Sequence, residues 1–146
     1  MTSVVDDLKH RARIRQRTTQ EKRREALAAI ATELGFSGWP HAVAILTGKR
    51  SDDFGTLLYP RGSDVFTNIW SASYEEARRI REQNGGFLLA YKKHFFITDR
   101  NFVEHLGLDP DDADWELIGR DWARPKDPAA RERLYARLLR VDRHLG

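Results

Sequence analysis

The apolar positions in the first third of the chain recur at helical spacing. Val4, Leu8 and Ala12 fall every fourth residue and mark one narrow stripe of an amphipathic helix. Thr18-Thr19-Gln20-Glu21 follows in the form of a capping box, in which a hydroxyl accepts from a free backbone N–H while the carboxylate reaches back. It predicts the start of a second helix whose buried face is Leu27, Ile30, Ala31 and Leu34. Gly35 is the expected stop, because glycine takes the left-handed conformation at little cost. Ser37 is the expected N-cap of a short third helix from Gly38 to Thr47. Pro40 is tolerated in its first turn, where N–H groups have no partner within the helix. Phe36, Trp39, Val43 and Leu46 are expected to face Leu27, Ile30 and Leu34, and Gly48 closes the helix.

The pattern changes at residues 48–53, a polar linker. Phe54–Tyr59 predicts a short strand closed by the turn at residues 60–64, and Val65–Trp70 fits either a strand or the first turns of a helix. Ser73-Tyr74-Glu75-Glu76 is a second capping box and opens a helix through Ala77 and Ile80 that Gly85-Gly86 stops. Phe87 to Thr98 is aromatic and β-branched, apolar on both faces in its first half. It predicts a central strand, with Lys92-Lys93 as a hairpin turn or one long strand as the competing reading. Asp99, Asp109-Pro110 and Asp127-Pro128 each mark a helix start. Those helices carry Phe102, Val103 and Leu106; Trp115, Leu117 and Ile118; and Leu134, Tyr135, Leu138, Val141 and Leu145. The result is an α+β fold of one domain, residues 1–146. A basic helical N-terminal subdomain over residues 1–48 packs with a small antiparallel or mixed sheet and a helical C-terminal third.

Charge sharpens this division. The formal net charge is +3 over 146 residues. Residues 1–50 hold ten Lys/Arg against five Asp/Glu, whereas residues 51–106 and 107–146 are each net −1. The excess sits on Lys9, Arg11, Arg13, Arg15, Arg17, Lys22, Arg23 and Arg24. These are candidate contacts for nucleic acid or another polyanion, because each phosphate neutralised adds a salt-dependent increment of affinity.

Residues 27–48 form a helix-turn-helix-like pair, but its second helix offers Trp39, Pro40, His41, Ala42 and Ala44, a poor set for reading base edges. The segment Leu34-Gly35-Phe36 with Trp39 resembles a short helical module found in assorted bacterial proteins. That resemblance implies a packing unit without catalytic residues. The abundance of Arg, Ala and Asp points to a GC-rich bacterial coding sequence.

Zero Cys removes disulfides, thiol nucleophiles and thiolate metal sites. His10, His41, His94, His105 and His144 lack metal-ligand spacing, so no metal or cofactor is expected. No catalytic residue stands out: GxSxG, Walker A and GxGxxG patterns are missing. The acidic run Asp109, Asp111, Asp112 and Asp114 lacks the glycine and closing Glu of an EF-hand. Two Asp-Trp pairs, Asp114-Trp115 and Asp121-Trp122, lie seven residues apart and suggest no repeat. No signal peptide or membrane span is apparent, which predicts a cytoplasmic protein without a membrane partner.

The leading functional expectation is a non-enzymatic binding or regulatory protein that contacts nucleic acid or an acidic surface through its basic helices. The alternatives are a homo-oligomeric interaction module and a small-molecule or enzymatic pocket near Tyr59, Arg61, Trp70, Tyr91 and Lys92.

Overall fold

The computed structural model describes residues 3–141, so the expectations for His144 and Leu145 lie outside the described residues. The fold is α+β: α1 (Val4–Thr19), α2 (Arg23–Glu33), α3 (Trp39–Leu46), β1 (Ile69–Ser71), α4 (Tyr74–Asn84), β2 (Phe87–Tyr91), β3 (His94–Thr98), α5 (Arg100–His105), α6 (Ala113–Leu117) and α7 (Pro128–Leu138). The sheet is antiparallel with order β1-β3-β2. Buried side chains from α1 through α7 form one continuous apolar cluster.

The local signals that held are those whose partners lie within a few residues. Val4, Leu8 and Ala12 are the buried residues of α1. Ser73, Asp99 and Asp127 accept from backbone N–H groups two or three residues ahead and open α4, α5 and α7. Gly35 has φ +96 and ends α2 in a Schellman arrangement, with Phe36 N–H donating to Ala31 O at 3.0 Å. Lys92 and Lys93 do form the hairpin turn between β2 and β3, and Lys92 takes φ +53.

Six expectations are corrected. The Thr18–Glu21 capping box does not form, because α1 runs on to Thr19. The Thr18 and Thr19 hydroxyls donate back to Arg15 O, and Lys22, which provides no side-chain cap, precedes α2. Gly38 rather than Ser37 occupies the N-cap of α3. Ser37 instead donates its backbone N–H to His41 Nδ1 at 3.0 Å. The buried face of α3 is accordingly His41, Ala42, Ile45 and Leu46, with Trp39 and Val43 only partly covered.

Phe54–Tyr59 is not a strand. It is a tight turn on Gly55, φ +64, whose backbone touches Gly35; a Cβ at Gly55 would lie 2.4 Å from Gly35 O. The apolar run is there because Phe54, Leu57 and Leu58 are buried, not because the chain is extended.

The central strand is β3. β2 is covered on both faces as its composition demanded, but it flanks the sheet. Its outer edge is closed by a parallel bridge in which Leu88 N–H donates to Arg120 O at 2.8 Å and Leu88 O accepts from Trp122 N–H at 2.9 Å.

Asp109-Pro110 does not open a helix. Asp109 makes an Asx turn to Asp111 N–H, and α6 begins after Asp112. Leu117 is therefore exposed while Trp115 and Ile118 are buried. The ambiguous Val65–Trp70 divides: a 3₁₀ turn covers Ser63–Val65 and β1 takes up Ile69 and Trp70.

Among the described residues no helix is long and apolar enough to cross a membrane.

Candidate polyanion-binding surface

Helical geometry sorts the basic residues of α1. At about 100° per residue, Arg15 lies only ~20° and Arg11 ~60° from the buried Leu8, whereas Lys9, Arg13 and Arg17 lie ~100°, ~140° and ~180° away. The first two are on the flank that meets the rest of the protein. Arg11 reaches across to the end of α7 and donates through Nη2 to Leu139 O at 2.6 Å, while its buried Nη1 has no partner among the described residues. Arg15 is held by Glu21 at 3.2 Å and Glu33 at 2.9 Å. These two cations are engaged by the fold.

The remaining six are not. Arg13, Arg17, Lys22, Arg23 and Arg24 are exposed and Lys9 is half-buried, and none has an ion pair among the described residues. Lys9, Arg13 and Arg17, spaced i, i+4, i+8, form one outward row on α1. Lys22, Arg23 and Arg24 stand at the start of α2, reached through Gln20 in the left-handed conformation at φ +58. The first-turn N–H groups of α2 have no side-chain cap, and the helix dipole disfavours cations at that end. Glu25 is the only carboxylate in that turn. The corner thus combines unpartnered cations with free backbone donors, the chemistry that receives phosphate oxygens.

α3 adds nothing to base reading. His41 has both ring nitrogens engaged, Nδ1 accepting from Ser37 N–H and Nε2 donating to Asp53 O at 2.6 Å. The outer positions of α3, Trp39, Pro40 and Ala44, carry no base-reading donor or acceptor pair.

The five residues of the predicted small-molecule pocket fare unevenly. Tyr59, Trp70 and Tyr91 gather, with ring centroids 5.3 Å apart from Tyr59 to each of the others and 5.9 Å between Trp70 and Tyr91. The Lys92 ammonium lies 5.4 Å from the centre of the Tyr91 ring. Arg61 is exposed in the turn beyond. The Tyr59 hydroxyl donates to Asp64 at 2.6 Å, and that bond, helped by burial, pushes its pKa up to about 12. Tyr59 therefore remains a neutral donor rather than an acid or nucleophile.

Two groupings carried no signal in the sequence. Ser63 and His105 come within 3.1 Å, but the single Ser63 proton goes to Pro60 O at 2.6 Å, so Ser63 can only accept from the imidazole. That polarity is the reverse of an activated nucleophile. Asp114, buried beside Trp115, receives Arg133 at 2.8 Å and Arg137 at 2.7 Å. These guanidiniums, Arg133 first, hold its carboxyl below the usual carboxylate range. Among the described residues no three His, Asp or Glu side chains gather as metal ligands.

Comparison with protein-family models, with curated proteins and with solved structures finds no match for this chain.

Proposed function

We propose that this chain is a non-enzymatic, cytoplasmic binding protein that holds nucleic acid, or a polyanion of similar charge density, at the α1–α2 corner. One observation carries the reading: among the described residues Arg13, Arg17, Lys22, Arg23 and Arg24 are exposed without acidic partners around an uncapped helix start. Such a surface contacts backbone phosphates, and α3 supplies no base-reading groups, so binding is sequence-independent. Fluorescence anisotropy with duplex and single-stranded DNA across a salt series tests it. Binding should be present near ~50 mM salt and should weaken with a log–log slope of about −0.9 per duplex phosphate neutralised, about −0.7 on single strands. No binding at that salt, or binding untouched by alanine at Arg13, Arg17, Arg23 and Arg24, overturns the reading.

A second reading, a protein-interaction module, is favoured by a different patch. Val65, Ile69 and Trp70 are exposed within six residues, and among the described residues β1 pairs with β3 alone. Light scattering separates the two: a stable dimer lost on Trp70→Ser would support this one.

A further inference from the structure

A second basic feature lies apart from the corner. A cleft of about 430 Å³ is lined by Arg81, Glu116, Gly119, Arg120 and Lys126. Three cations thus face one carboxylate, and that carboxylate is already engaged, because Glu116 holds Arg120 Nε at 2.8 Å and Nη2 at 2.7 Å. Arg81 and Lys126 have no ion pair among the described residues.

Arg120 is unusually fixed for a surface arginine. Its guanidinium carbon lies 5.0 Å from the centre of the buried Phe87 ring. Its N–H donates to Trp115 O and its carbonyl accepts from Leu88 N–H, both at 2.8 Å. Its backbone has φ +54, a conformation that costs an L side chain energy. Gly119, φ +70, lets the chain turn tightly under the Lys126 stem; a Cβ there would lie 3.2 Å from Lys126 Cε. Arg81 approaches from the last turn of α4. Arg81 thus comes from α4, and Arg120 and Lys126 from one segment that bridges to β2 at Leu88 and turns back so that Lys126 N–H donates to Ile118 O at 3.4 Å.

We propose that this cleft binds a phosphate dianion, either inorganic phosphate or the phosphate of a small phosphomonoester. Glu116 occupies Nε and Nη2 of Arg120, and among the described residues Nη1 has no acceptor. That donor, Arg81 and Lys126 provide separate cations for separate oxygens of a tetrahedral anion, whereas a carboxylate is satisfied by one guanidinium fork. The volume falls in the range of small-molecule sites and leaves room beside a phosphate for a carrying group. The site uses none of the residues of the α1–α2 corner.

The test is a titration of the full chain with sodium phosphate against sodium chloride at matched ionic strength, read by melting temperature and by amide chemical shifts. A saturable rise in melting temperature is expected, with shifts at Gly119 and Arg120. Removing any one of the three charged donors should weaken binding about tenfold. Arg81→Ala with Lys126→Ala should therefore abolish the effect over the accessible range. Arg120→Gly suits the left-handed backbone, so this variant folds and still loses affinity. Alanine at Arg13, Arg17, Arg23 and Arg24 should leave phosphate binding intact. Glycerol phosphate binding more tightly than inorganic phosphate would identify a phosphomonoester as the ligand; equal affinity would identify the free ion. No saturable effect, an effect that survives both cleft variants, or one that disappears in the corner variant overturns the proposal.

Discussion

The first and last described helices, α1 and α7, both carry arginine on several turns, but their surroundings differ. On α7, Arg133 and Arg137 converge on the buried Asp114, and Arg137 also meets Asp112 at 2.8 Å. Arg131, itself buried, donates to Trp122 O at 2.7 Å. On α1, Arg11 and Arg15 find acceptors, and among the described residues the outward row finds none. Arginine serves the fold where another element delivers an acceptor to it. Where none is delivered, the charge stays available to a partner. Whole-chain charge hides this distinction, since +3 averages a corner rich in unpaired cations with α7, whose Arg131, Arg133 and Arg137 are engaged.

The largest effect expected from this contrast is on binding. Alanine at Arg13, Arg17, Arg23 and Arg24 together should reduce the salt slope for duplex DNA by about 3 to 4, one increment for each phosphate no longer neutralised. The same variant should not lose stability. Removing Arg23 and Arg24 relieves cations from the positive end of the α2 dipole, which should raise unfolding free energy by about 0.3–1 kcal/mol in urea titrations. Loss of binding together with loss of fold would break the contrast, because it would make the corner a structural element.

Next is the opposite case. Asp114→Asn should destabilise by about 2–3 kcal/mol, because two guanidiniums lose their shared carboxylate while DNA affinity is unchanged. The pH dependence has a definite sign. The carboxyl of Asp114 is held down in the folded state, so the unfolded chain binds its proton more readily. Its contribution is therefore fully present above the unfolded value near ~3.9 and is lost as pH falls below that. Wild type should lose stability more steeply than Asp114→Asn on acidification below about pH 4 in chemical denaturation. Parallel curves would show that Asp114 is not the group responsible.

Arg11 tests the boundary between the two behaviours. It belongs to the basic segment by sequence and to the core by contact. Arg11→Ala should cost about 1–2 kcal/mol by removing the bond to Leu139 O, and should leave the salt slope unaltered. A stability-neutral Arg11→Ala that flattened the slope would return this residue to the binding surface.

How much of this could be read from the chain follows the range of the interactions. Asp99 and Asp127 cap N–H groups two or three residues away, so their role is written locally. Thr18–Glu21 has the same local form and fails because of a competitor: Arg15, one turn back, takes both hydroxyls with its carbonyl and Glu21 with its guanidinium. The strand reading at Phe54–Tyr59 fails because an apolar run reports burial, not extension, and here the chain turns on Gly55 with Thr56 N–H donating to Gly35 O at 2.9 Å. The corner was legible as a charge excess, but the sequence reading placed Arg11 and Arg15 with the other six cations, and only the structure shows them engaged by the fold. Their acceptors were not legible: the bond from Arg11 to Leu139 spans 128 residues. The cleft was invisible for the same reason, since Arg81 meets Arg120 and Lys126 only through the fold.

The smallest effect concerns the order of the corner rather than its charge. Gln20 joins α1 to α2 in the left-handed conformation, with its N–H donating to Gln16 O at 2.9 Å. Gly at this position would remove the Cβ strain but would also enlarge the freedom of the unfolded chain. The net gain for Gln20→Gly should therefore be no more than about 1 kcal/mol. Neither the number nor the sign of the charges changes, so the salt slope should stay as in wild type. Any gain or loss of affinity would then report on how rigidly the turn holds Lys22, Arg23 and Arg24 relative to the row on α1. A marked loss would mean that positioning, and not charge alone, makes this corner a binding surface. That outcome would separate it from an arginine-rich helix that is merely solvated.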